Sequence, residues 1–226
     1  MAADVETSQH QQALGWLCEQ YWHPLYFYVR RRGASPEESQ DATQEFFAQL
    51  LASDKLALAD PQRGRFRSFL LTAFRNFLIN RHEGARALKR GGDWQRVPFD
   101  FDQAEAMYGG LAKREESPEA AFERRWAITV ITRAIAALRL DWENTNKSVQ
   151  FERLSPFLTL PIQKQNYEQL GDALNMSASA VKVMLHRMRR QLGEKIRAEV
   201  RATVDSEDEL ELELSEMLQV LGRSNM

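Results

Sequence analysis

Apolar residues return every three or four positions along most of this chain, which is the spacing of one face of an α-helix. Alternating β-branched runs bounded by turn residues, the pattern typical of strands, are absent from the sequence. The first apolar stripe predicts a helix over 12–32 that is interrupted or kinked at Pro24, because proline lacks the helical N–H donor. The whole pattern predicts an all-α protein with two small helical domains joined by a linker.

Residues with strong capping preferences mark the ends of several predicted helices. Gly33 is expected to end the first helix as a C-terminal cap. Ser35, Pro36 and Glu38 form a capping-box pattern that predicts a helix reaching about Ala52. The same chemistry at Ser117 predicts a helix to about Leu140. The aromatic and basic segment 66–90 predicts a long amphipathic helix, with four phenylalanines expected in the core: Phe66, Phe69, Phe74 and Phe77.

The segment 91–117 has weak periodicity and several glycines and prolines, and we interpret it as an interdomain linker whose aromatic residues pack somewhere on the protein. A further apolar helix is expected over 151–160, stopped by Pro161. The predicted organisation is a first domain over 1–90, this linker, a second domain over 118–203 and an acidic amphipathic tail over 204–226.

The segment 167–192 has the spacing of a helix-turn-helix, with Asn175-Met176 at the turn and Ser177 capping the second helix. Six residues remain for solvent or ligand once the apolar face of that helix is buried: Arg189 and five candidate DNA-binding residues, Ser179, Lys182, His186, Arg187 and Arg190. Short polar residues near the helix start suit base edges, and cations further along suit phosphates. The alternative is an ordinary amphipathic helix with a solvated basic face.

Charge is distributed very unevenly along the 226 residues, although the formal net charge is only -2. One basic block runs over 63–96 and a second over 182–201, whereas 205–216 is acidic without a single base. A DNA backbone responds to such local charge and not to the overall balance. In the first block, five residues are candidates for contacts with opened DNA strands: Asn80, Arg81, Arg86, Lys89 and Arg90.

Several other classes of function are disfavoured. The sequence has no run long and apolar enough for a membrane span and no leader-like start, so we expect a cytoplasmic protein. Cys18 is the only cysteine and is expected to be an inert buried thiol, and the four histidines are too scattered to suggest a metal site. No phosphate-binding loop, zinc motif or nucleophile elbow is present. We therefore predict no catalytic residues, no cofactor, no metal and no enzymatic activity.

Taken in order, three segments resemble the extracytoplasmic-function (ECF) branch of the bacterial sigma-70 family. Residues 41–50 resemble the family's polymerase-binding helix, and 66–80 resemble the segment that melts and reads the minus-ten promoter element. Residues 167–187 are similar to the domain that reads the minus-thirty-five element. Leu170-Gly171 and Ala180 depart from the usual residues of that domain, and 141–165 does not match its commonest version.

The resemblance implies a transcription initiation factor whose partners are core RNA polymerase and promoter DNA, with an anti-sigma factor as a further candidate partner. It implies polymerase contacts for four residues whose acidic and amide face would otherwise be interpreted as solvated: Asp41, Gln44, Glu45 and Gln49. It assigns Asn80, Arg81, Arg86, Lys89 and Arg90 to the opened strand and its backbone.

Two alternatives remain: a helix-turn-helix repressor or activator that acts without joining the polymerase, and a helical protein-interaction module of the anti-sigma kind.

The acidic tail has two interpretations of its own. Its apolar positions (Leu210, Leu214, Met217, Leu218 and Leu221) would share one helical face. The tail is either a solubilising extension or, as we hypothesise, a segment that folds back onto a basic surface and competes with DNA.

Overall fold

The computed structural model describes residues 2–52, 65–84, 99–111, 116–159 and 163–222, and it confirms the all-α prediction over these ranges. Side chains are described for 15–52, 65–81, 99–109, 116–159, 163 and 166–222. The helices are α1 (Ala2–Arg31), α2 (Pro36–Leu51), α3 (Phe66–Gly84), α4 (Phe101–Leu111), α5 (Pro118–Asn144), α6 (Ser148–Leu154), α7 (Lys164–Leu174), α8 (Ala178–Arg201) and α9 (Glu207–Gly222).

The chain divides into two compact units whose boundaries differ from the predicted domains. Unit 1 comprises Met1–Thr129 together with Thr203–Met226, and unit 2 comprises Val130–Ala202. The expected start of a second domain at 118 therefore does not coincide with the start of unit 2, which falls inside α5. The acidic tail, predicted as a separate segment, belongs to unit 1. Sequence periodicity marks helices, but it does not show which helices share a core.

The predicted caps at Gly33, Ser35 and Ser117 are confirmed, whereas α1 begins at Ala2 instead of 12 and α5 ends at Asn144 instead of about Leu140. The Ser35 hydroxyl accepts a hydrogen bond from the Glu38 backbone N–H at 3.2 Å, and the Glu38 carboxylate accepts one from the Ser35 N–H at 2.9 Å. This reciprocal pair satisfies two donors that a helix N-terminus otherwise leaves unpaired. Gly33 has φ 89°, the left-handed conformation that glycine adopts without strain. Ser117 Oγ accepts from the Ala120 N–H at 3.1 Å. The expected interruption at Pro24 does not occur, since α1 continues through it.

Aromatic packing forms the core of unit 1. Phe46 of α2 and Phe74 of α3 lie with ring centroids 4.8 Å apart, and Phe74 is fully buried. The other three phenylalanines expected in the core (Phe66, Phe69 and Phe77) are half-buried and have ring contacts with their neighbours. Cys18 is buried, and burial together with the charge of Glu19 raises the pKa of its thiol to about 11, in agreement with an inert cysteine.

Part of the segment predicted as a linker is a helix that packs within unit 1. Phe99 stacks on Trp22 with centroids 4.9 Å apart, just before α4 begins. In α4, Glu105 accepts hydrogen bonds from Tyr26 Oη at 2.6 Å and from Arg30 Nε at 2.9 Å. Residues 101–111 of the predicted linker thus form a helix, and Phe99, Phe101 and Tyr108 pack on the protein as expected of its aromatic residues. Glycine and proline content suggested a linker, but aromatic contacts distant in sequence stabilise this segment as a helix.

Unit 2 has its own apolar core, formed by the last part of α5 with α6, α7 and α8. Trp142 of α5 is buried, and its indole N–H donates to Gln191 Oε1 at 3.0 Å. The helix expected over 151–160 begins earlier, at Ser148, and ends at Leu154. A short 3-10 turn over Ser155–Phe157 follows, and it contains Pro156. Pro161 lies outside the described residues.

The predicted turn joins α7 to α8. Asn175 has φ 52° and ψ 46°, the left-handed conformation that asparagine tolerates. The Met176 N–H donates to the Gly171 carbonyl at 2.9 Å, and Ser177 Oγ accepts from the Ala180 N–H at 3.2 Å. A Cβ added to Gly171 would lie 2.7 Å from the Met176 carbonyl oxygen, so the turn requires glycine there. This contact gives a physical reason for the departure at Gly171 from the residue usual in related sequences.

We predict that Gly171→Ala lowers the free energy of unfolding of the full chain by about 1–3 kcal/mol, because a backbone atom must move to admit the methyl group. Chemical denaturation followed by circular dichroism measures this. Gly193→Ala in α8 is the control, since nothing lies within 4 Å of its added Cβ and alanine favours a helix interior. Equal stability of the two variants would contradict the close contact at the turn.

Candidate polymerase and nucleic-acid interfaces

The acidic and amide face of α2 lies on the side of the helix away from the buried aromatic residues. Asp41, Gln44, Glu45 and Gln49 follow spacings of three and four residues, which place them along one side of a helix. Asp41 is exposed and the other three are half-buried. On the opposite side Ala42, Phe46, Phe47 and Leu50 are buried. The packing of α2 therefore leaves the predicted polymerase-binding residues accessible.

Glu45 connects two of the predicted sites. Its Oε2 accepts a hydrogen bond from Arg81 Nε of α3 at 2.9 Å, and its Oε1 accepts one from Gln49 Nε2 at 3.3 Å. The Glu45 and Arg81 side chains are about one-third exposed, so the pair contributes little to stability and remains accessible. A predicted polymerase contact thus lies in direct contact with a predicted DNA contact. A ligand that binds either residue must compete with the other.

The exposed end of α3 carries Asn80 next to Arg81, as the sequence predicts. Ile79 is also exposed there, at 54%, although the sequence analysis did not single it out. The other predicted residues of this site, Arg86, Lys89 and Arg90, lie outside the described residues. Only Asn80 and Arg81 of the predicted strand-binding group can therefore be placed.

Carboxylates neutralise the first basic block wherever its arginine side chains are described. Arg75 lies 3.9 Å from Glu119, and Arg81 is paired with Glu45. Arg65 and Arg67 are paired with glutamates of α9. The described part of this block is not the open cationic surface that its composition suggests.

Arg67 is buried at 3% exposure, with its guanidinium 4.3 Å from the ring centre of Trp126. Its Nη2 lies 3.0 Å from Glu213 Oε2 and 2.9 Å from Glu216 Oε2 of α9, and its Nη1 donates to Glu123 of α5. Burial raises the pKa of Glu213 despite the opposing effect of Arg67. The hydrogen bond from Arg65 lowers the pKa of Glu216. Helix α9 therefore docks within unit 1 through charge pairs with α3.

The buried face of α9 differs from the predicted one. Leu210, Glu213 and Met217 are buried, whereas Leu218, which was expected on the apolar face, is 66% exposed. A buried glutamate on this face is invisible to a hydrophobicity pattern, because its partner Arg67 is distant in sequence. That α9 folds back onto basic residues agrees with the hypothesis for the tail.

Helix α8 presents its five predicted DNA-binding residues to solvent, and all of them are exposed: Ser179, Lys182, His186, Arg187 and Arg190. Among the described residues, Lys182 and Arg187 have no ion-pair partner, whereas Arg190 lies 3.5 Å from Glu194. Val181, Leu185, Met188 and Leu192 bury the opposite side in the core of unit 2. The face is thus exposed and cationic.

Part of unit 1 is similar to a known protein family. Residues 17–87 match the family model of sigma-70 region 2, which covers the second half of α1 and all of α2 and α3. Over these residues the chain is similar to the sigma-70 family. Members of this family are transcription initiation factors and not enzymes, and region 2 has its role in polymerase binding and promoter melting. Neither the search of curated proteins nor the search of solved structures found a match.

The matched sigma region 2 contains both the α2 face and the Arg81 end of α3, so two of the three predicted interfaces lie on the recognised segment. The α8 face lies outside it. None of the described helices has the length and apolar character needed to cross a membrane. The expectation that Arg189 faces solvent or ligand on α8 is wrong, because its side chain is half-buried and donates to the Phe157 carbonyl at 2.7 Å within unit 2.

Proposed function

We propose that this chain is an ECF-type sigma factor that binds core RNA polymerase, directs it to promoters and holds the opened DNA strand. The α2 face contacts polymerase, the exposed end of α3 contacts the minus-ten strand, and α8 enters the major groove at the minus-thirty-five element. The sigma-70 region 2 match over α1, α2 and α3 is the observation that carries the proposal. The predicted second domain, 118–203, then acts as a region 4-like module. It and the first domain, 1–90, act on DNA in the cytoplasm.

The polymerase contact is supported by the accessibility of the α2 face beside a fully packed apolar side. Asp41, Gln44 and Gln49 offer hydrogen-bond acceptors that suit a basic partner surface. Glu45 is a less direct probe, because its substitution also releases Arg81. Variants that test polymerase binding alone therefore leave Glu45 in place.

The DNA contacts are supported by the chemistry of two exposed groups. Asn80 can bond a base edge of an opened strand, and Arg81 can contact phosphate or stack on a base once Glu45 is engaged elsewhere. In unit 2, Lys182 and Arg187 are exposed without ion pairs to described residues, as phosphate-binding cations require. The short Ser179 near the start of α8 leaves room for base edges.

We propose in addition that α9 competes with DNA for Arg65 and Arg67. Arg67 lies in the first turn of α3, within the segment that resembles the minus-ten reader, and Arg65 immediately precedes that helix. The carboxylates of Glu213 and Glu216 occupy the positions at which DNA phosphates would pair with these guanidinium groups. Free chain would then bind DNA weakly until α9 is displaced.

For polymerase binding, we predict that Asp41→Ala combined with Gln44→Ala weakens the affinity for sigma-free bacterial core polymerase about tenfold to a hundredfold, the range for loss of central interface contacts. The combination Asp102→Ala and Gln103→Ala is the matched control, because it removes an exposed aspartate and glutamine from α4 of the same unit. Fluorescence anisotropy of the labelled chain measures both affinities.

An equal loss in the control pair would contradict the α2 interface. If the unaltered chain bound DNA but not core polymerase, the helix-turn-helix repressor or activator would replace the sigma proposal. Self-dimerisation without polymerase binding would support that replacement. If the chain bound neither polymerase nor DNA in a salt-dependent way, the protein-interaction module would replace it.

For α9, we predict that deleting residues 204–226 tightens binding to a labelled single-stranded oligonucleotide and steepens its salt dependence by about 1.4 units of log K per log salt, as two newly available arginines would. Glu213→Gln should change both quantities in the same direction, whereas Asp208→Asn, which removes one exposed charge of α9, should leave both near the unaltered values. Helical circular dichroism checks that each variant is folded. A salt dependence unchanged in both the deletion and Glu213→Gln would contradict competition.

A further inference from the structure

An apolar side chain lies in the middle of the exposed cationic face of α8. Val183 is 62% exposed and was not among the residues predicted for this face. Positions 179, 182, 183, 186, 187 and 190 follow helical spacings of three and four, so Val183 shares one stripe with Ser179, Lys182, His186 and Arg187. All of these side chains are exposed.

Folding of unit 2 does not explain this valine. The core of the unit uses Val181, Leu185 and Met188 on the opposite side of α8. A β-branched residue on a solvent-exposed helix face also lowers helix propensity slightly compared with alanine or lysine. The side chain is therefore available to a ligand that contacts the face.

The surroundings of Val183 favour a duplex as that ligand. Lys182 and Arg187 flank it and have no ion-pair partner among the described residues, and the first carboxylate on α8 is Glu194, well beyond this part of the face. In a DNA groove, the cations can bind the phosphates along its edges, while the apolar side chain between them can contact an apolar group on a base edge. Thymine presents such a group, its 5-methyl, in the major groove.

The turn and the helix dimensions place Val183 near the middle of a short footprint. The close packing at Gly171 and the left-handed Asn175 fix the start of α8, whose first residues would approach the base edges. At a rise of 1.5 Å per residue, Ser179 to His186 spans about 10 Å, which is about three base-pair steps. Val183 lies over the central part of that span.

We propose that Val183 reads a thymine in the upstream promoter element, by apolar contact with the 5-methyl group in the major groove. This inference rests on the proposed sigma function and specifies one base that α8 recognises. The neighbouring Lys182 and Arg187 supply affinity through phosphates, whereas Val183 supplies preference for thymine over the other bases.

The test uses the full chain bound to core polymerase and a DNA duplex that this holoenzyme selects from a randomised library. Each thymine of the selected upstream element is replaced singly by uracil, which removes only the methyl group. We expect one uracil substitution to weaken binding by the unaltered protein about fourfold, the value of one buried methyl group. With Val183→Ser, the same substitution should have no effect.

Val149→Ser is the control, since Val149 of α6 is similarly exposed, at 64%, and belongs to the same unit. It should keep the full uracil effect. A uracil effect of equal size in the Val183→Ser protein, or no uracil effect at any position in the unaltered protein, would overturn the thymine contact while leaving the sigma function intact. Failure of the holoenzyme to select any sequence, with DNA affinity unaffected by Lys182→Ala and Arg187→Ala, would instead contradict the proposed function and this contact with it.

Discussion

The buried positive charge of Arg67 is the constraint on which unit 1 depends. A guanidinium stays charged in a protein interior, so its burial must be balanced by carboxylates that remain close to it. Those carboxylates come from Glu123 of α5 and from Glu213 and Glu216 of α9, while Trp126 covers one face of the group. The last helix is therefore joined to the sigma region 2 segment by a charge cluster, and removing one partner would leave a buried charge incompletely balanced.

The two basic blocks differ in whether their cations are already paired with carboxylates. In unit 1, Arg65, Arg67, Arg75 and Arg81 each have a glutamate partner, and for all but Arg81 that glutamate lies outside the matched segment. On α8 in unit 2, Lys182 and Arg187 are exposed without such partners among the described residues. The sequence shows two similar blocks of cations. In the structure the described arginines of the first block are paired with glutamates, whereas Lys182 and Arg187 of the second block are exposed cations.

Features that depend on neighbours in sequence were predictable, and features that depend on distant partners were not. The caps at Ser35 and Ser117 and the turn at Asn175 follow from local backbone chemistry, so their residue types sufficed. The helix over 101–111 and the burial of Glu213 depend on Trp22, Tyr26 and Arg67, which lie far away in sequence. The α2 face was correctly located as an accessible surface, but its contact between Glu45 and Arg81 could be found only from the fold.

Promoter-dependent transcription tests the central claim most directly. Sigma-free bacterial core polymerase is mixed with the full chain and a fully duplex template that carries a sequence selected by the complex, and a template with a pre-opened bubble verifies that the core is active. The account predicts transcripts with a defined start site on the duplex only when the chain is present. Active core that makes no defined transcript from the duplex with the chain bound to it would contradict a sigma function.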